Sequence, residues 1–529
     1  MDNSNLPETN YQPPEKPPVK MYIYPTGGRE LLFIPFLLFF SVFTCYGVLK
    51  GDFNLGYTLG FLGMAASCLL YLGKRIRLTV YGCIHLLCVI GLACLFALSS
   101  DSSIEILAFF VLLFAWQQTL HLLTNTGTFL PGTLASALDA GKTLFFQPYR
   151  HLFPNLRGLT YGKGEAGLEK RKTGSVLLGL AISVPLLLMI IPLLMKADAA
   201  FEGLMDKFSG EDTGILIASV LLGILFAIPR FSRSLTLRRI EGQEKKVFPY
   251  KGSLSTGTIT TALAVISAIF LLYLFSQLAY FFSGFAGLLP DGFTTAEYAR
   301  RGFFEMCRMC ALNLGILASA CILVKKNEGK LTLPIRLLSL FVCLFSLVLV
   351  ATSASKMALY IGTYGLTPKR IYTSVFMVFL AVAFIAVGIW LLKPKFPYMK
   401  VIVTAGLAAL LLTGFFDVGT VVARYNVNAY QTGKLETIDV TTVYSVGGSG
   451  TPYLIQLLAD DDPEVVEKAR KYLTYRVSTE EHFNSYTNTV NEDGTFTMEK
   501  LSFWEWNYKS WQEMKALEEV LPILHEKNK

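Results

Sequence analysis

The chain has 529 residues, 53% of them hydrophobic and only 16% charged, with a mean hydropathy of +0.47. Soluble domains carry about a quarter charged residues, so this composition excludes an ordinary soluble enzyme or binding module. The formal charge of +8 sits in short basic stretches between apolar blocks, which favours anionic lipid headgroups over nucleic acid as a partner.

Residues 1–30 are polar and Pro-rich; they cannot bury enough surface to fold alone and are expected to form a disordered cytoplasmic tail. From Leu31 onward, apolar runs of about twenty residues recur between charges. At about 1.5 Å per residue each crosses a hydrocarbon core of about 30 Å. The first run is too long for a signal-peptide core and is expected to stay in the mature protein. Transmembrane helices are predicted at 31–49, 54–73, 78–99, 104–124, 174–195, 213–229, 256–282, 303–324, 334–360, 371–392 and 398–418. The predicted fold is therefore an all-α polytopic membrane protein, with about eleven transmembrane helices over 31–418 and a small, mainly helical extramembrane domain over 419–529.

Lys and Arg in short loops are retained in the cytoplasm. The tail and every second loop after it hold 27 of them, against nine in the alternate set up to residue 418. The N-terminus is thus expected in the cytoplasm of a cell membrane. An odd number of spans then places the C-terminal domain, with 11 basic and 17 acidic residues, outside.

All nine cysteines lie in the apolar blocks. No disulfide framework is implied, and Cys307 and Cys310 form a C-x-x-C with no second pair to complete a metal site. Between the fourth and fifth spans, Leu134, Leu138, Leu144, Phe145 and Phe146 alternate with Lys142 and Arg150. This loop reads either as an interfacial helix or as an ordinary connection. His121, after Gln117 and Gln118, fits interhelical hydrogen bonding or headgroup contact better than catalysis.

The candidate site lies at the outer ends of the last spans. Arg301, Glu305 and Arg308 recur at helical spacing, and Lys356 and Tyr360 share a face. Gly365 can end the ninth span, while Thr367 and Pro368 supply an N-cap and first-turn proline for the tenth, followed by Lys369 and Arg370. Arg424, Tyr425 and Asn426 follow the last span. Together these residues form a candidate polar cluster, if the helices pack at their outer ends. It reads as snorkelling and local ion pairs or as a site for an anionic group. Catalytic residues, metal ligands and cofactors are not expected: the run Ser445 to Thr451 lacks the last glycine of a nucleophile elbow and reads as a flexible turn, and no P-loop or H-E-x-x-H is present.

Beyond the spans, Thr451 to Leu458 and Asp462-Pro463-Glu464 to about Leu473 read as one HEAT-type helical hairpin, too little for a solenoid. Asn491 to Gly494 marks a turn. Leu501, Trp504, Tyr508, Trp511 and Leu517 fall on one face of a final predicted helix.

Several stretches resemble the bacterial polytopic membrane proteins of the domain of unknown function 4153/4173 group. They are Lys196-Ala197-Asp198-Ala199-Ala200-Phe201, Tyr298 to Phe303, Leu359-Tyr360 with Gly365-Leu366-Thr367 and Arg370, Ala423-Arg424-Tyr425-Asn426 with Asp439 and Pro452, and the Trp-rich end. The chain departs from the family pattern at Ile438-Asp439-Val440-Thr441-Thr442. The resemblance implies architecture and no activity. The leading expectation is a non-enzymatic envelope protein that senses or interacts through its outer domain, docked on helices eight to eleven. Its partners are the lipid bilayer and an envelope protein or anionic headgroup. A permease is the alternative, and a transferase on a lipid-linked substrate the third.

Overall fold

A computed structural model describes residues 27–239, 253–285, 295–325 and 331–478, with short gaps in the first of these, and parts of 488–516. Of the predicted tail 1–30, residues 1–26 lie outside the described residues, while Gly28, Arg29 and Glu30 form the first turn of the first helix, where Glu30 accepts from the Tyr71 hydroxyl at 2.9 Å. Helices run α1 Gly28–Gly51, α2 Leu55–Leu72, α3 Val80–Leu98, α4 Ser102–Thr124, α5 Leu134–Phe145, α6 Leu152–Leu159, α7 Lys172–Ala197, α8 Glu211–Arg239, α9 Thr256–Phe285, α10 Thr295–Leu323, α11 Leu333–Tyr364, α12 Pro368–Leu392 and α13 Tyr398–Phe415. Four shorter helices follow: α14 Val418–Gln431, α15 Val440–Ser445, α16 Thr451–Gln456 and α17 Pro463–Ser478. Among the described residues two small antiparallel hairpins, Tyr161–Gly164 with Gly167–Lys170 and Asn488–Val490 with Phe496–Met498, accompany the helices.

Among the described residues ten helices are long and apolar enough to cross a membrane. The contacts at their ends sort the bundle into two poles. At one, Arg238 donates to the Tyr71 carbonyl (3.4 Å), the Arg77 amide to Leu123, and Arg336 to the carbonyls of Leu391 (2.8 Å) and Leu392 (3.0 Å). Basic side chains there supply the helix C-termini with donors, as the dipoles favour; this is the basic end. At the opposite, far end, Asn507 reaches the carbonyls of Phe96 and Ser99, and Asn426 reaches Leu366. Since α4 leaves the far end and α8 returns from it, α7, 26 residues long, must carry the chain back across. α7 thus stands beside the ten at the position of the predicted fifth span.

Two helices extend furthest beyond their predicted bounds. α8 runs on from Pro229 to Arg239, because the arginines that read as a loop are held by neighbouring helices. α10 begins at Thr295 rather than 303, its charged first turns continuing past the apolar stretch.

Among the described residues two larger cores fill the bundle, with a smaller cluster around Leu263 and Ile335. One joins α1–α4, α6, α8 and α13 around Phe33, Phe61, Phe96 and Leu235; the other joins α9–α12 around Phe270, Phe345 and Phe384. Lipid offers no hydrophobic drive between helices, so packing and interhelical hydrogen bonds hold them. Phe270 and Phe345 stack at 4.2 Å, and buried Asn313 donates to Ser346 at 2.8 Å. α13 packs against both α12 and α3 and so connects the two lobes.

Candidate functional site at the far end of the bundle

The α11–α12 turn organises the far end. Gly365 has φ +74°, and a Cβ there would collide with Asn426 Oδ1, so a glycine is required for both reasons. Buried Asn426 accepts from the Leu366 amide at 2.7 Å and donates to the Leu366 carbonyl at 2.8 Å. The side-chain amide pairs with the backbone as a neighbouring strand would, joining α14 to the turn. Arg370 donates to the carbonyls of Tyr364 (3.0 Å) and Gly365, capping α11, and its guanidinium lies 3.8 Å from the Tyr360 ring centroid. Thr367 caps α12 through the Arg370 amide.

One turn deeper, α9, α10 and α11 enclose a cavity of about 50 Å³ lined by Tyr273, Gly302, Glu305, Thr352, Ser353 and Lys356, with thioethers of Met306 and Met309. Ser353 donates to the Gly302 carbonyl at 3.2 Å, and a Cβ on Gly302 would come within 2.8 Å of Lys356 Cδ. The missing side chain is what lets the lysine stem lie across α10.

The predicted residues therefore separate. Glu305 and Lys356 share the cavity; Tyr360, Arg370 and Asn426 surround the Gly365 turn. Arg308 is exposed on α10, bonding only its own helix at Phe304 (3.3 Å) among the contacts seen, and Arg424 and Tyr425 are exposed on α14. The side chain of Arg301 lies outside the described residues.

Sequence reasoning missed the residues that fasten the far-end helices. Asp417 caps α14 through the Thr420 amide (3.0 Å) and hydroxyl (2.6 Å), accepts from Ser449 at 2.9 and 3.1 Å, and forms an ion pair with Lys509. Burial raises its carboxyl pKa, but Lys509 and Thr420 outweigh burial and hold it below its ordinary value. The Gly-rich turn is thus pinned rather than flexible: Arg476 donates to the Gly447 carbonyl (2.6 Å), Thr451 Oγ1 (2.6 Å) and the Tyr444 carbonyl (2.5 Å), and lies over the Tyr444 ring. Around it Ala423, Val443, Leu454, Ala469 and Leu473 form a small core, with the predicted hairpin as α16 and α17.

Among the described residues of 503–516 the predicted final helix is interrupted. The chain turns after Trp504, and Asn507 caps a new turn by accepting from the Lys509 amide at 2.9 Å. Trp504 inserts between Phe43 and Tyr46 of α1 and lies over Gly56 of α2. Buried Asn507 donates to the Phe96 and Ser99 carbonyls, and the Trp506 carbonyl receives the Leu55 amide at 3.2 Å. Leu501 and Leu517 lie outside the described residues. Asp417 before Thr420 was a readable cap signal; Arg476 and Asn507 carry none.

A family model described as Domain of unknown function (DUF4153) matches residues 86–457. No curated protein and no solved structure matches. The matched region includes Gly365, Arg370, Asp417, Asn426 and Ser449, and stops short of Arg476 and the Trp504–Lys509 segment.

Proposed function

The chain belongs to the DUF4153 family, and from that footing we propose that it is an interaction or sensing protein of the cell envelope. In this reading the N-terminus is cytoplasmic, and the helices after Asp417 form an extracytoplasmic module that receives a partner. The observation that supports it is the double attachment of the module. Asn426 joins it to the α11–α12 turn of the second lobe, while Trp504 and Asn507 join it to α1–α3 of the first. A partner that favours one arrangement of the module biases both lobes at once, and a ligand shifts a conformational equilibrium only through such differential contacts. Exposed Arg424, Tyr425 and Tyr475 offer the polar and aromatic chemistry common in interfaces.

Two measurements test this. A C-terminal enzymatic reporter should be active on the extracytoplasmic side only. A photo-crosslinking amino acid at Tyr425 or Tyr475 in intact cells should yield a discrete adduct with one envelope component. Reporter activity in the cytoplasm, or solute uptake by vesicles that persists without residues 419–529, would refute the proposal.

A further inference from the structure

The connection between α4 and α7 at the basic end is built inside out. Its aromatic side chains face away from the protein: Phe145 is 67% exposed, Phe146 71%, Tyr149 56% and Phe153 74%. Two uncharged polar side chains face inward beside Leu156 and Leu159, with Thr143 0% and Asn155 1% exposed. Thr143 Oγ1 lies 2.7 Å from His121 Nε2 of α4, and Asn155 donates to the Ser232 carbonyl (3.0 Å), Ser232 Oγ (3.0 Å) and Thr236 Oγ1 (3.1 Å) of α8. A segment bathed in water has the opposite polarity, because large contiguous apolar patches are rare on water-facing surfaces.

Depth gives an independent argument. α2 has 18 residues, about 27 Å, which is close to the hydrocarbon thickness, so its end at Leu72 marks the basic boundary of the core. Arg238 is level with that boundary through its bond to the Tyr71 carbonyl. Ser232 and Thr236, which both bond Asn155, lie six and two residues further in, about 9 and 3 Å. The Asn155 contact therefore sits beside the last turns of α8, within the leaflet rather than beyond it. Leu78 and Val80 at the start of α3 and Val176 at the start of α7 are exposed as well. Exposed Lys142 and Arg157 flank the aromatic face, where cations meet anionic headgroups.

We propose that α5 and α6 form a hairpin embedded in the basic-end leaflet, its polar side chains bonded to α4 and α8 and its aromatic face in contact with phospholipid, anionic species preferred. Polar groups at membrane depth persist only where protein satisfies them, and the bonds of Thr143 and Asn155 do this. The bilayer is the occupant that fits an aromatic face at this depth; a protein partner would have to approach from within the lipid.

The test uses the full-length protein in nanodiscs of mixed phosphatidylcholine and phosphatidylglycerol, with benzoylphenylalanine in place of Phe146 or Phe153. Leu87, exposed on α3, serves as the lipid-facing control and Glu467, exposed on α17, as the aqueous one. Irradiation should give phospholipid adducts at 146 and 153 in yields comparable with position 87, none at 467, and phosphatidylglycerol enriched over its share of the bilayer. Absence of lipid adducts at 146 and 153 while position 87 reacts, or adducts with a protein chain instead, would overturn the embedding. Adducts that mirror the bilayer composition would overturn the anionic preference.

Discussion

Replacing Asn426 with Ala removes both partners of the Leu366 backbone, an acceptor at 2.7 Å and a donor at 2.8 Å. A buried polar group left without a partner costs about 1–3 kcal/mol. Leu366 is only partly buried, so water restores some of this, and the expected loss is about 2–3 kcal/mol for both groups. With tenfold per 1.4 kcal/mol, opening of the α11–α12 turn against α14 should become roughly 30- to 140-fold easier. Native-state hydrogen exchange of the purified protein reads this at the Leu366 amide, whose acceptor is the substituted side chain. Asn426→Asp keeps the acceptor but sets an oxygen against the Leu366 carbonyl, so it should fall between Ala and the native residue. Gly365→Ala displaces the same side chain, so its effect and that of Asn426→Ala should be less than additive, as expected within one contact. If Leu366 exchanges at the native rate in Asn426→Ala, this pair does not hold the module and the coupling of α14 to the bundle has been misread.

Asp417 sets a pH dependence. Its folded-state carboxyl is held below the ordinary value of 3.8, so the ionised junction contributes fully above about pH 4 and is lost as pH falls through the depressed value. Trp fluorescence reporting attachment of the C-terminal segment should therefore stay flat from neutral pH to about 4 and change below it; Lys509→Met should move the transition upward, and an unchanged transition would remove Lys509 from the explanation. Arg476→Lys should destabilise the far-end module by about 2–4 kcal/mol, since an ammonium cannot reproduce three guanidinium bonds and ring stacking; limited proteolysis around Gly447–Gly450 should accelerate accordingly. Trp504→Ala should lower the thermal unfolding temperature by removing a half-buried ring worth about 1–3 kcal/mol, while leaving exchange at Leu366 unchanged.

The spans were legible because membrane thickness imposes a length that apolar runs report directly. The Thr367-Pro368 start of α12 and the Asp462-Pro463 start of α17 were legible for a similar reason: capping is local. The continuation of α8 was not, since Pro229 and Arg230 signal a helix end, and only the partners of Arg233 and Arg238 on α4 and α2 explain why it goes on. The candidate cluster was read as one set because its members recur at helical spacing. Glu305 and Arg308, three residues apart, nevertheless diverge, one into the cavity and one to the surface. The fastening residues escaped because their partners are remote in sequence: Asp417 with Lys509, Asn426 with Leu366, Asn507 with Ser99. The glycines at 447–450 suggested flexibility by composition, and nothing local announces that Arg476 holds them.

The position of Trp504 and Asn507 bears on biogenesis. Synthesis proceeds from the N-terminus, so α1, α2 and α3 enter the bilayer first, with the Leu55 amide and the Phe96 and Ser99 carbonyls lacking the groups that later satisfy them. Those groups arrive only when residues 504–509 have been made and reach the far end of the bundle. The first lobe is therefore the earliest to insert and among the last to be finished. A variant cut after α17 would keep the helices of the bundle yet leave an open seam at α1–α3.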